Sequence, residues 1–382
     1  MPSARRSLQG AALAHALHDG YTDMIYVLLP VWQAEFALGY AALAALRGVY
    51  AGTMAAFQVP AGWLAERLGG RTVLVAGTVL SALGYALAGF SGGLIGLCAA
   101  LALSGLGSAT QHPLASAAVS RAYGTNARGP LGVYNFSGDL GKAALPALLG
   151  LLIATLSWRS SVWVMAALGL IAAAAVWALL PVVRAAEPAA QASRGADRGG
   201  FGLLLAIAVL DSGVRMGFLT FLPFLLKAKG AELPLIGFAL TLVFLGGAAG
   251  KFTCGWLGAR LGVLATVLVT EIGTAAAIGA AILLPLSPTL ILLPVLGVML
   301  NGTSSVLYGT VPELVPAGKV ARAFAVFYTG AIGSGALSPV VYGAIGDFFG
   351  YQWGIAAAAA AALLTCPLAL LLAPRLSSAS RG

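Results

Sequence analysis

The chain has 382 residues, of which 60% are hydrophobic and only 9% are charged, and its mean hydropathy is +0.94. Because soluble domains carry about 25% charged residues, this composition excludes an ordinary water-soluble protein and predicts helices that dissolve in lipid. The net charge of +9 does not indicate a nucleic-acid partner, because most of the basic residues fall on one predicted side of the membrane.

Apolar runs of roughly 20 residues, the length that crosses the hydrocarbon, recur about twelve times along the chain. We expect an all-α membrane protein of twelve transmembrane helices in two six-helix, pseudo-symmetric halves, at 1–180 and 201–382. Residues 181–200 are rich in Ala, Arg, Pro and Gly, which predicts a flexible cytoplasmic linker. By the positive-inside rule both termini are cytoplasmic, and we expect a multi-pass protein of the cell (inner) membrane.

The first predicted helix carries ionisable side chains on one face. Asp19 and Asp23 are four residues apart, His15 precedes Asp19 by four, and Tyr26 continues the stripe. At 1.5 Å per residue these acids lie about 15 Å from the cytoplasmic end of the helix. An ionisable group at that depth costs about 3 kcal/mol unless it is paired or hydrated, so each is a candidate functional residue.

The octapeptide from Gly62 to Gly69 returns as the octapeptide from Gly255 to Gly262, a shift of 255 − 62 = 193 residues, about half of the chain. This repeat indicates an internal duplication. Parallel repeats of this kind place a solute site at the interface between the halves, near the midplane of the bilayer.

The loop after the second helix contains glycines that permit a tight turn and close helix approach. Its arginines can bind helix-end carbonyls or a carboxylate and so hold one conformation, although a basic loop that merely obeys the topology rules is the alternative. We predict gating residues in this loop and in its repeat: Gly62, Glu66, Arg67, Gly69, Arg71 and Arg260.

This loop resembles the Gly-x-x-x-Asp/Glu-Arg/Lys-x-Gly-x-Arg signature of the Major Facilitator Superfamily, which that family repeats more weakly between helices eight and nine. His18-Asp19, the run from Leu103 to Pro113 and the segment from Asn135 to Gly141 resemble its fosmidomycin-resistance branch. The resemblance implies the major facilitator fold, a cavity lined mainly by helices one, four, seven and ten, and proton-coupled export by alternating access. Charged residues in the fifth helix depart from drug/proton antiporters and disfavour a purely hydrophobic drug.

We expect proton coupling to involve Asp19, Asp23 and His112, with Arg215 as a counter-charge that approaches from the other half. The predicted substrate-binding residues are His15, Tyr26, Asp139, Lys142, Asp211, Arg215, Asn301 and Tyr308. Alternatives remain open, because Asp139 with Lys142 and Asp211 with Arg215 can neutralise each other within one helix, and small polar residues also join helices.

Three other charged positions have alternative interpretations. Arg47 is a possible counter-charge for an anion, or else it extends toward the outer surface or meets Glu35. Lys251 and Glu271 could pair, and we interpret both as structural.

The expected function is secondary active transport, most simply proton-coupled efflux of a small polar, anionic or amphipathic organic compound. Uptake by proton symport uses the same residues, and a transition metal or metal chelate held by His15, His18, Asp19, Asp23 and His112 is a further alternative. The chain has no recognisable catalytic motif, so an enzyme is not expected. We predict a monomer in the lipid bilayer whose partners are protons and the substrate, without a cofactor or a resident metal.

Overall fold

The computed structural model describes residues 2–181, 200–315 and 320–379, and these ranges are almost entirely helical. The predicted linker lies, except for its two end residues, outside the described ranges. The helices are α1 (Pro2–Phe36), α2 (Tyr40–Leu68), α3 (Gly70–Ala88), α4 (Leu94–Ser108), α5 (Gln111–Tyr123), α6 (Arg128–Thr155), α7 (Trp158–Leu179), α8 (Phe201–Ala228), α9 (Leu233–Leu283), α10 (Leu286–Leu314), α11 (Val320–Phe349) and α12 (Tyr351–Ala379).

Twelve membrane spans follow from these helices, as predicted. α4 and α5 form one span that is interrupted at Ala109 and Thr110, where Pro113 lacks the N–H that would bind the carbonyl four residues earlier. α9 comprises two spans that part at Gly262, whose φ is 80°. Within the described ranges, nine segments are long and apolar enough to cross a membrane.

The two copies of the octapeptide end in the same backbone conformation. Gly69 has a φ of 86° and Gly262 a φ of 80°, a region that glycine adopts without steric cost. The prediction that glycine permits close helix approach does not hold at Gly62, because a Cβ atom there would meet nothing within 4 Å. The tight turn therefore depends on the last glycine of each copy, and the first glycine of the first copy does not permit a close contact.

The chain forms two compact units that follow the two halves except for short exchanged segments. The first contains Met1–Leu38, Ala45–Glu187 and Ala231–Thr241, and the second contains Gly39–Ala44, Pro188–Gly230 and Leu242–Gly382. The beginning of α2 thus groups with the second unit and the beginning of α9 with the first.

In the first unit α1 packs most extensively against α6, and α3 packs against α4 and α7. α1 and α6 cross closely because both carry glycine at the contact: a Cβ atom at Gly20 would lie 2.8 Å from the Gly141 carbonyl oxygen. In the second unit α8 packs against α11 and α12, and Gly213 of α8 faces Ser334 and Ser338 of α11. These crossings determine which side chains of α1 and α8 face their neighbours.

Candidate functional site

Asp19 is the centre of a polar cluster in the first unit. Its side chain is buried, with 8% of the residue exposed, and three basic groups from three helices surround it. His15 Nε2 lies 3.2 Å and Lys142 Nζ 3.4 Å from its Oδ2 atom, and His112 Nε2 lies 3.7 Å from its Oδ1 atom. α1, α5 and α6 therefore converge on one carboxylate, and the structure brings together four of the predicted residues.

The hydrogen bonds of His15 require a proton between its ring and Asp19. Its Nδ1 atom lies 2.8 Å from the backbone carbonyl oxygen of Tyr134, which can only accept, so Nδ1 carries a hydrogen. Neutral imidazole then has no hydrogen on Nε2, and an ionised carboxylate has none to offer. The contact is satisfied by imidazolium with carboxylate or by neutral imidazole with a carboxylic acid, and one extra proton is present in both cases.

Tyr134 holds the His15 ring in this position. The two rings stack with centroids 4.2 Å apart, and Gln111 donates to the Tyr134 hydroxyl at 2.9 Å. The ring edge of His112 meets His15 at 5.3 Å between centroids. Neither Tyr134 nor Gln111 was among the residues predicted from the sequence, because their role depends on how α5 and α6 pack against α1.

Gly138 of α6 is a second residue that sequence analysis did not select. A Cβ atom at this position would lie 2.6 Å from His15 Nε2 and 2.7 Å from Asp19 Oδ2. The space that a side chain would fill is occupied by the histidine–aspartate contact. A glycine within the segment from Asn135 to Gly141 was the available signal, but its purpose depends on the register between α1 and α6.

Asp23 lies beside a different basic group, the guanidinium of Arg47. Asp23 and Arg47 are each 4% exposed, and both interact electrostatically with Tyr26, which is fully buried. The Arg47 guanidinium carbon lies 5.6 Å from the centre of the Tyr26 ring and 6.0 Å from that of Tyr50. Arg47 therefore does not extend to the outer surface.

The expected partner of Arg47 at the outer surface, Glu35, forms an ion pair with Arg159 at 2.7 Å instead. In the fifth span, Asp139 is 9% exposed, and Lys142 reaches Asp19 on α1, a partner that its spacing to Asp139 does not predict.

His18 belongs to a buried network of hydroxyl groups in the first unit. Its ring nitrogens lie 3.1 Å from Ser108 Oγ and 3.0 Å from Thr78 Oγ1. Since Thr78 donates its own hydrogen to the carbonyl of Leu74, it must accept from Nε2 of His18. These hydrogen bonds connect His18 to α3 and α4 and indicate that His18 orients α1 against both helices.

In the second unit, Asp211 and Arg215 of α8 share a serine of α10. Arg215 Nη1 donates to Ser304 Oγ at 2.6 Å, Ser304 donates to Asp211 Oδ2 at 2.8 Å, and the direct distance between the charged atoms is 4.0 Å. Within this unit Asp211 and Arg215 therefore lie close enough to neutralise each other, which is the alternative that their spacing on one helix left open.

The two predicted residues of α10 lie against neighbouring helices. Asn301 donates to the backbone carbonyl of Gly297 and packs against Gly247 of α9. The Tyr308 ring packs against Phe327 and Tyr328 of α11, with centroids 5.1 and 4.9 Å apart.

The arginines of the repeated loop contact tryptophan rings. The Arg71 guanidinium carbon lies 4.0 Å from the centre of the Trp177 ring of α7, and that of Arg260 lies 4.4 Å from the Trp256 ring on its own helix. Glu66 and Arg67 are exposed. The structure thus joins α3 to α7 through a cation–π contact that the motif alone does not predict.

Among the described residues, His15, Asp19 and His112 also form a group whose ligand atoms lie within 4.8 Å of one another. Imidazole and carboxylate suit a transition metal. The ammonium of Lys142, 3.4 Å from the same carboxylate, opposes a second cation at this place. Asp23 and His18 have other neighbours, so the five-residue metal set considered from the sequence does not assemble.

The architecture and the buried ionisable cluster together define a duplicated helical membrane protein with a polar site inside its first unit. A sequence profile of the Major Facilitator Superfamily matches residues 11–209 and 201–382. The chain belongs to this family.

Two curated relatives resemble parts of the chain. "Putative multidrug resistance protein MdtD" of Escherichia coli (strain SE11) is 28% identical over 246 residues, which is 59% of this chain and 50% of that protein. "Probable sulfoacetate transporter SauU" of Cupriavidus necator is 26% identical over 147 residues, which is 38% of this chain and 34% of that protein. The chain thus spans half or less of the length of these relatives.

Solved structures show the same fold over nearly the whole chain. A bacterial homologue of the human lysosomal transporter Spinster, solved in an inward-facing and unoccupied conformation, has a TM-score of 0.83 at 15% identity and covers 99% of this chain and 98% of its own. The occupied form has a TM-score of 0.80 at 16% identity.

Proposed function

We propose that this transporter couples efflux of a small polar, anionic or amphipathic organic compound to protons, and that the His15–Asp19 pair carries the coupled proton. The observation behind this proposal is the contact between His15 Nε2 and Asp19 Oδ2 at 3.2 Å, with the other nitrogen of His15 committed to a carbonyl. The similarity to a relative named as a multidrug resistance protein supports efflux, as does the resemblance to the fosmidomycin-resistance branch.

Antiport requires that the proton and the substrate exclude each other. A zwitterionic or amphipathic substrate with an ammonium group can take the place of the proton beside Asp19, while its anionic part meets Lys142. When the substrate leaves on the far side, a proton rebinds to the His15–Asp19 pair before the empty site returns, so that proton and substrate cross the membrane in opposite directions.

A second candidate is proton-coupled uptake of an anion, which is favoured by the three basic groups around one carboxylate. Protonation of Asp19 would release Lys142 and His112 to bind an external anion, so that proton and anion bind together. The relative named as a probable sulfoacetate transporter supports an anionic substrate of this kind.

The experiment is transport into proteoliposomes under imposed proton gradients of either direction, with sulfoacetate and a panel of zwitterionic and amphipathic compounds as probes. Asp19→Asn is expected to abolish proton-driven transport and Asp23→Asn to weaken it, whereas the exposed Glu232→Gln serves as the matched control. Undiminished coupling in both aspartate variants would overturn the assignment. Stimulation by a proton gradient parallel to the substrate gradient would select uptake over efflux.

A transition-metal substrate is a third candidate, supported by the proximity of His15, Asp19 and His112. It predicts protection against thermal unfolding by added metal ions that His15→Ala removes. Because Lys142 competes for the same carboxylate, we expect no such protection.

The remaining assignments belong to the same proposal. Both termini are cytoplasmic, the transporter acts as a monomer in the cell membrane, and the repeated loop gates the cytoplasmic side through Gly62, Glu66, Arg67, Gly69, Arg71 and Arg260. The substrate is also contacted by Tyr26, Asp139, Asp211, Arg215, Asn301 and Tyr308.

A further inference from the structure

Two buried carboxyl groups lie close to each other in the second unit. Asp211 of α8 is 5% exposed and Glu271 of α9 is 2% exposed. Their side chains interact electrostatically with each other. Sequence analysis interpreted Glu271 as a structural residue and did not connect it with Asp211, which lies 60 positions earlier in the chain (271 − 211 = 60).

Contacts between neighbouring residues place the same three helices together. Ser304 of α10 donates to Asp211 Oδ2 at 2.8 Å, and the adjacent Thr303 lies 2.7 Å from Thr270, the residue before Glu271, measured between hydroxyl oxygens. The meeting of α8, α9 and α10 therefore does not depend on the two carboxyl groups alone.

Hydrogen-bond chemistry decides the protonation state of this pair. An ionised carboxylate only accepts hydrogen bonds, so two ionised carboxylates cannot bond to each other. A hydrogen bond between the two groups therefore needs a hydrogen on one of them, and two neighbouring negative charges inside a membrane would repel each other strongly.

The charges around the pair also indicate that the pair binds one proton. Arg215 is the cation that faces it, with Nη1 4.0 Å from Asp211 Oδ2 and a bridge through Ser304. Glu271 also faces the hydroxyl groups of Thr303 on α10 and Thr365 on α12, and it interacts electrostatically with the Cys366 thiol of α12. The hydroxyl groups of Ser334 and Ser338 on α11 face Gly213 of α8. Two acids beside one arginine become neutral when one proton is bound.

We propose that Asp211 and Glu271 form a second proton-binding site, in which the two carboxyl groups share one proton beside Arg215. The site lies in the half of the molecule that does not contain the His15–Asp19 pair. Release of its proton leaves one uncompensated negative charge inside the span, so the proton leaves when water or another cation reaches the pair. A role in coupling rests on the proposed function, whereas the presence of the proton does not.

Infrared difference spectroscopy of the purified full-length protein in lipid nanodiscs tests this proposal, because the carbonyl stretch of a protonated carboxylic acid is separate from that of a carboxylate. In the Asp19→Asn background, where the His15–Asp19 pair cannot supply a carboxylic acid, we expect one such band at neutral pH that both Glu271→Gln and Asp211→Asn remove. Asp19→Asn alone and its combination with the exposed Glu232→Gln should retain the band. The amide variants keep a hydrogen-bonding group in place, and thermal unfolding checks that they fold.

A wild-type protein without a protonated carboxyl band at neutral pH would overturn the proposal, as would a band that persists in both amide variants in the Asp19→Asn background. If neither variant folds, a pH titration of the Asp19→Asn protein decides, because the proposal requires the band to disappear in one step as the pH rises. A band with these properties in a protein that shows no proton-driven transport would refute the proposed function and leave this inference intact.

Discussion

At the scale of the residue, Asp19 and Asp23 differ in the basic groups that surround them. Both acids are buried on α1, but Asp19 meets two imidazoles and an ammonium, while Asp23 lies near a guanidinium and Tyr26. Imidazole exists in a neutral and a protonated form, whereas guanidinium stays charged. The proposed function therefore assigns the coupled proton to Asp19 and not to Asp23, a choice that the sequence left open.

Under the proposed function, the Lys142 ammonium binds the anionic group of the substrate. We expect Lys142→Gln to raise the KM for a transported anion about tenfold, because a charge-assisted hydrogen bond of roughly 1.5–3 kcal/mol is lost. Initial-rate measurements in proteoliposomes provide the KM, and Lys142→Arg should restore most of the affinity. An unchanged KM for every transported anion would remove Lys142 from the substrate site.

The ion pair of Glu35 with Arg159 lies beyond the apolar run of α1 and makes a small, pH-dependent contribution to stability. The hydrogen bond from Arg159 holds the pKa of Glu35 below its ordinary value. A lowered pKa stabilises the folded protein above the ordinary carboxyl pKa, and this stabilisation is lost as the pH falls through the folded value. Glu35→Gln should therefore lower the Tm slightly at neutral pH.

At acidic pH the Tm of Glu35→Gln should equal that of the wild type, because both proteins then lack the charge. Thermal unfolding in nanodiscs at a series of pH values measures this difference. Since both side chains are more than one-third exposed, a large effect at neutral pH would contradict this interpretation.

At the scale of the element, the crossing of α1 and α6 determines the site. Gly141 lies against the backbone of Ala16, and Gly138 leaves room for the contact between His15 and Asp19. Neither glycine is needed for a turn, since both lie inside α6. The helices themselves could be predicted from apolar runs, but the pairing of their faces could not.

Gly141→Ala is expected to destabilise the protein by about 1–3 kcal/mol, because the new methyl group meets backbone atoms of Ala16 that cannot rotate away. Gly132→Ala on the same helix is the matched control, since a Cβ atom there meets nothing within 4 Å. Alanine favours the helix over glycine by up to about 1 kcal/mol, so the control should unfold at the same or a higher temperature. Equal losses in both variants would contradict the close crossing.

At the scale of the whole molecule, the duplication preserves architecture without preserving chemistry. Gly20 and Gly213 occupy equivalent positions in the repeat, 213 − 20 = 193 residues apart. Gly20 faces α6 and Gly213 faces α11, and each of these helices is the fifth span of its half. In the first half the carboxylate beside this crossing meets histidines and lysine, while in the second half it meets arginine, serine and a second carboxyl group.

The two equivalent glycines should differ in their tolerance of alanine. A Cβ atom at Gly20 would lie 2.8 Å from the backbone oxygen of Gly141, whereas one at Gly213 would meet the hydroxyl oxygens of Ser338 and Ser334 at 2.6 and 3.0 Å. Serine hydroxyl groups can rotate, so Gly20→Ala should reduce the Tm and the yield of folded protein more than Gly213→Ala. The reverse order would show that the two crossings differ from this description.

Local pattern determined the membrane class, the twelve spans, the repeat and the acidic face of α1, because hydrophobic length, loop charge and helical spacing are properties of neighbouring residues. Only the tertiary structure decided that Asp19 meets Lys142, that His15 is held by the carbonyl of Tyr134, and that Asp211 meets Glu271. Such pairs depend on the rotation and register of each helix against its neighbours. Close packing at individual glycines determines this rotation and this register. The periodicity of hydrophobic residues in the sequence does not encode that packing.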